Sequence, residues 1–106
     1  EPTSASISAA ASGDIPADTR CSITNSDAQG AYPISTFTWM IIYKEQNYSD
    51  RSKKQAIATL DLLKYILSDE AQGITSEVHY APLPRKAREQ SMKNLHAVTY
   101  DGMTIL

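Results

Sequence analysis

The densest apolar pattern runs from Phe37 to Tyr43, directly after Ala31-Tyr-Pro-Ile-Ser35. Alternate side chains of a strand point to opposite faces. Phe37, Trp39, Ile41 and Tyr43 therefore share one face, and Thr38, Met40 and Ile42 the other. Both faces are largely apolar. That pattern predicts a strand covered on both sides, as in an α/β sheet, with Trp39 in the core. Further on, Ser52-Lys-Lys-Gln55 has capping-box spacing. A helix is predicted from there to about Ser68. Ala56, Leu60, Leu63 and Leu67 form its apolar stripe, widened by Ile57, Tyr65 and Ile66. The two-faced strand is its natural partner.

Shorter elements surround this pair. Residues 2–12 read as a helix capped by Thr3, with Ile7, Ala10 and Ala11 on one side and Gly13 as the stop. Asp14 to Asp18 is turn-like, Cys21 to Thr24 reads as a short strand, and Asn25 to Gly30 is a polar loop. Ser68-Asp-Glu-Ala71 starts another helix, predicted to reach Val78, with acids at its positive end. Pro82-Leu-Pro84 stops it, and Pro84 suits the first turn of a last helix. Ala87, Ser91, Met92 and Leu95 are the stripe of that helix. Tyr100-Asp-Gly102 is a turn, and Met103 to Leu106 an apolar tail.

Composition sets limits. The 106 residues suffice for one small domain. A net charge of −2 and a pI near 5.6 disfavour bulk binding to nucleic acid or an anionic membrane. The longest apolar run, Trp39 to Tyr43, is far below the roughly 20 residues of a membrane span. The N-terminus shows neither the basic start nor the apolar core of a signal peptide. The single cysteine, Cys21, has no intramolecular disulfide partner and reads as a structural or incidental thiol whose role the sequence leaves open.

Candidate chemistry is sparse. The chain has no G-x-S-x-G elbow, P-loop or dinucleotide-binding glycine pattern. His79 and His96 lie far apart without a second ligand at metal spacing, and His79 reads as a helix-end residue. Asp69 and Glu70 are explained by helix capping, and Arg85-Lys-Ala-Arg88 by a solvated helix face. These readings give no catalytic residue, no metal site and no cofactor, and they point away from an enzyme.

Four groups of residues carry a resemblance. They are Pro2-Thr3 before Ala9-Ala-Ala11, Ala31-Tyr-Pro-Ile-Ser35 before the strand ending Tyr43-Lys44, Leu62-Leu-Lys-Tyr65, and Tyr80-Ala-Pro-Leu-Pro84 before the last helix. Together they resemble the C-terminal third of the phosphate-binding proteins that serve high-affinity phosphate ABC transporters. The resemblance implies a two-lobed, type II venus-flytrap fold. Residues 1–30 would be a remnant of the second lobe. The hinge crossing would be 31–36, formed around Tyr32, Pro33 and Ile34, and 37–106 the C-terminal part of the first lobe. The implied partners are inorganic phosphate and the transporter's permease, and the implied location is periplasmic or cell-surface. The family's phosphate ligands fall on segments not matched in this chain. Near the hinge, Ser35 and Thr36 carry hydroxyls that suit an oxyanion and are the candidate ligands. A chain lacking the rest of its lobes is expected to self-associate, by exchange of its first 30 residues. The alternative is a self-standing α/β interaction or dimerisation module without solute binding.

Overall fold

Local capping chemistry decides where three of the four helices begin. The computed structural model describes all 106 residues. Helix α1, Ser4–Ala10, starts at Thr3, whose hydroxyl accepts from the Ser6 N–H at 3.1 Å while the Ser6 hydroxyl accepts from the Thr3 N–H at 2.9 Å. Helix α2, Lys53–Ile66, starts the same way. The Ser52 hydroxyl accepts from Gln55 N–H at 3.2 Å, and Gln55 Oε1 accepts from Ser52 N–H at 2.9 Å. Each reciprocal pair satisfies donors that a helix leaves without intrahelical partners. Helix α3, Asp69–Ile74, is capped by Ser68 and carries Asp69 and Glu70 in its first turn. It passes into a 3₁₀ turn, Thr75–Val78, closed by His79 in the left-handed region at φ 62°. Helix α4, Arg85–His96, follows Pro84, which sits at the cap position just before the first turn.

The chain ends in a hairpin. Strands β1, Thr99–Tyr100, and β2, Met103–Thr104, pair antiparallel with Thr99 opposite Thr104 and Tyr100 opposite Met103. Asp101 and Gly102 both have positive φ, 53° and 75°. That geometry is the mirror-image two-residue turn whose twist matches a hairpin. The turn reverses the apolar tail, so Ile105 and Leu106 return to the core.

Leu60, Leu95 and Val98 centre that core, with Ile42, Leu63, Leu67, Met92, Ile105 and Leu106 packed around them. The α2 and α4 stripes read from the sequence thus face each other. Only 11 of the 106 residues are buried, so this core is small and each large side chain in it matters. In the first 36 residues the buried ones are Ala10, Ala11, Ile23 and Ser35. This part docks on α4. Gln90 and Asn94, one helical turn apart, both donate side-chain amides to the Ala17 carbonyl, at 3.1 and 3.0 Å. Lys86 pairs with Asp14 at 3.3 Å beside them.

The molecule is therefore a mixture of helices and one short sheet, α/β in the coarse sense. Several expectations are corrected. Phe37–Tyr43 is not a strand, because no neighbouring chain pairs with it; it runs without turn or bend and makes no backbone–backbone hydrogen bond. Trp39 is 45% exposed instead of central to the core. Cys21–Thr24 has no strand partner either, and Gly13 does not close α1 in a left-handed conformation. Helix α3 loses α geometry four residues early, where the Thr75 hydroxyl bonds back to the Gln72 carbonyl at 2.6 Å. The radius of gyration is 15.6 Å, with extents of 47 × 27 × 20 Å. A compact chain of this length would have about 13 Å. The excess reflects an elongated molecule with little interior.

Candidate interaction surface

The segment Phe37–Tyr43 is the most unusual surface on the molecule. Ile41 is 94% exposed, Tyr43 68% and Met40 59%. Exposed apolar residues scattered singly are ordinary, but a contiguous run of them marks a surface that binds something. In this segment the run also lacks any backbone–backbone hydrogen bond, and only the Phe37 and Tyr43 carbonyls accept, from the Thr36 hydroxyl and the Gln46 amide. Its ring contacts are local: Phe37 meets Trp39 edge-on at 6.1 Å, and Tyr43 meets Tyr48 at 4.8 Å. The Trp39 indole N–H donates to the Thr19 carbonyl at 3.1 Å, holding the segment against the first 36 residues. Ile42 alone turns inward to the core.

Pairing starts where the segment ends. Lys44 accepts from Thr99 N–H at 2.9 Å, and Gln46 donates to the Thr99 carbonyl at 2.8 Å, giving a parallel bridge at Glu45. The Glu45 carboxylate then reaches the hairpin turn. It accepts from Asn47 and Asp101 N–H at 2.9 Å each, from Gly102 N–H at 3.0 Å, and from the Thr99 hydroxyl at 2.8 Å. The Asn47 N–H, followed by Gly102 N–H, the Thr99 hydroxyl and Asp101 N–H, pulls its pKa from 4.5 down to about 2. The ionised form is the one these donors favour. This contribution to stability is complete above pH 4.5 and is lost as pH falls through about 2. Accordingly, the Asp101 and Gly102 amide proton resonances should titrate with a midpoint near 2 in the native protein. In Glu45→Gln that titration should vanish, and exchange of these two amides should quicken roughly tenfold at neutral pH. An unchanged exchange rate would show that the hairpin holds without the carboxylate.

Tyr32 and Pro33, two of the residues the resemblance assigns to a hinge, are tied to the first part of the chain. Tyr32 N–H donates to Ser6 O and Asn25 N–H to Pro33 O, both at 2.9 Å, while Ile34 projects outward. Ser35 is buried, and its hydroxyl donates to the Tyr32 carbonyl at 2.7 Å. Thr36 is exposed, and its hydroxyl donates to the Phe37 carbonyl at 3.2 Å. Both candidate hydroxyls thus direct their protons to their own backbone.

Two other features fit an anion poorly. A polar groove of about 500 Å³ is lined by Tyr48, Ser49, Asp50, Arg51, Gln55 and Thr59. Its cation is already engaged: the Arg51 guanidinium donates to Gln55 O at 3.3 Å and to the Thr59 hydroxyl, and lies 5.8 Å from the Tyr48 ring centroid. Asp50 adds negative charge to the groove lining. In the basic cluster, Arg85 pairs with Glu89 at 2.6 Å, Arg88 with Asp69 at 2.5 Å and Lys86 with Asp14. These acids neutralise the helix face.

The Glu45 clasp escaped sequence reasoning. The Asp101-Gly102 turn was legible, but a carboxylate over 50 positions away carries no local signal. No helix is long and apolar enough to cross a membrane. Comparison of the chain with protein-family models, with curated proteins and with solved structures finds no match.

Proposed function

We propose that this chain supplies the C-terminal portion of a two-lobed, phosphate-type solute-binding receptor that delivers phosphate to an ABC permease. Residues 1–30 would belong to the second lobe, 31–36 to the hinge crossing and 37–106 to the first lobe. One observation carries the reading beyond the resemblance. The seven residues after the hinge have a strand's alternation and two apolar faces, yet no backbone partner. A segment of that kind belongs inside a sheet, and the remaining strands of a lobe would supply its neighbours. The receptor would work at the periplasmic face or the cell surface and catalyse no reaction.

An oxyanion in a cleft needs donors converging from both lobes. In this chain Ser35 and Thr36 are turned onto backbone carbonyls. Isothermal titration of the 106-residue chain with inorganic phosphate is therefore expected to show binding no tighter than about 1 mM. The complete reading frame that contains this sequence is expected to bind near 1 μM, about −8 kcal/mol. No phosphate binding by that longer protein would defeat the receptor reading. Micromolar binding by the 106 residues alone would show that they already hold a full ligand set.

A second reading, a self-standing interaction module, draws on the same exposed segment. A start codon immediately before Glu1 would favour it. A contiguous upstream frame rich in serine-glycine loops would favour the receptor.

A further inference from the structure

We infer that Phe37–Tyr43 docks a second copy of itself, as an antiparallel strand pair centred on Met40. Such pairing is a property of the 106-residue chain, in which no lobe strand occupies the edge of 37–43, and it does not depend on phosphate recognition.

The window for pairing is set on both sides. Ser35 is buried, and Glu45 is already bridged to Thr99. The Lys44 carbonyl already accepts from Thr99 N–H, so the unpaired apolar stretch is Phe37–Tyr43, and its midpoint is Met40. Antiparallel pairing about that midpoint sets Phe37 against Tyr43, Thr38 against Ile42, Trp39 against Ile41 and Met40 against its own copy. Aromatic, β-branched and mixed pairs of this kind are the favourable cross-strand combinations. Phe37–Tyr43 contains no charge, no proline and no glycine. No repulsion opposes a like copy, and the composition is that of segments which pair with themselves. The flanks select direction. A parallel, in-register pair would stack Lys44 on Lys44 and Glu45 on Glu45. The antiparallel pair sets each Lys44 against a Thr36 and keeps the two lysines at opposite ends.

The contact is isologous, so it closes as a dimer. It also leaves residues 1–30 where the structure has them, docked through Ala17 and Asp14 on their own α4. Exchange of that segment is not needed.

The register makes the test specific. Residues directly opposite in an antiparallel pair have Cα atoms about 4.5–5.5 Å apart, inside the range a disulfide spans. In a Cys21→Ser background, Met40→Cys should cross-link to itself under mild oxidation. Thr38→Cys alone should not, whereas Trp39→Cys mixed with Ile41→Cys, both exposed and opposite in this register, should form the heterodimer. Sedimentation equilibrium of the unaltered chain at about 100 μM should show dimer. Met40→Lys, which sets two ammonium groups face to face at an exposed position, should raise the dissociation constant at least about tenfold while circular dichroism stays native. A folded native chain that remains monomeric at that concentration would overturn the proposal. So would a dimer in which Thr38→Cys cross-links to itself as readily as Met40→Cys.

Discussion

Leu60→Ala is expected to lower the stability of this protein by about 3 kcal/mol, whereas Trp39→Ala is expected to cost less than about 1 kcal/mol. The contrast inverts what residue size suggests. Leu60 is fully buried at the centre of the α2–α4 contact, with Leu95 and Val98 in the same cluster. Its removal costs the transfer energy of the lost carbons and opens a cavity in a core too small to absorb it. Trp39 has water on nearly half its surface and a ring neighbour in Phe37. Its truncation forfeits one indole hydrogen bond to Thr19 and partial burial. Urea melts of the two variants at a concentration where the chain is monomeric will measure both. Equal losses would place Trp39 in the core and restore a covered strand at 37–43.

Gln72→Leu is the second large effect, with an expected cost of about 2–4 kcal/mol. The substitution keeps the volume and adds apolar surface, so simple hydrophobicity would favour it. The amide, however, joins three segments. Its Nε2 donates to the Ile66 carbonyl at 2.8 Å, at the end of α2, and its Oε1 accepts from Leu83 N–H at 2.6 Å, ahead of α4. Gln72 is itself buried. Leucine leaves both backbone groups without their partner, and an unsatisfied buried polar group costs more than a surface hydrogen bond returns. The exposed part of the Gln90 amide makes a useful reference: Gln90→Ala removes a contact to Ala17 that Asn94 also makes, and should cost under about 1 kcal/mol. If Gln72→Leu melts like the native chain, the three-way bridge is dispensable.

What could be read in advance follows the range of the interactions involved. Thr3, Ser52 and Ser68 announce helix starts because a cap acts over three residues. The stripes of α2 and α4 announce which faces meet, because helical periodicity is local and burial follows it. The Asp101-Gly102 turn was visible for the same reason, but the short pairing of Met103–Thr104 was not, since two residues carry no alternation. Phe37–Tyr43 shows the opposite failure. Its alternation is a genuine strand pattern, but a strand exists only when another segment supplies the ladder, and in this fold pairing begins only at Lys44. The candidate site suffered likewise. Ser35 and Thr36 have the chemistry an oxyanion needs, while the direction of their hydroxyls depends on the turn at Tyr32–Ser35. Glu45 reads as an ordinary charge next to Lys44 until the fold brings the Asp101–Gly102 amides to it.

Phe37–Tyr43 has the alternation of a strand and, in the folded chain, no neighbouring segment that pairs with it. Amide hydrogen exchange of the 106-residue chain, resolved by residue, tests this claim most directly. In a dilute, monomeric solution the amides of 37–43 should exchange within about tenfold of unstructured rates, while those around Leu60 are protected by several orders of magnitude. Protection of 37–43 equal to that of Leu60 under the same dilute conditions would contradict the claim, because the segment's backbone would then already be satisfied within one chain.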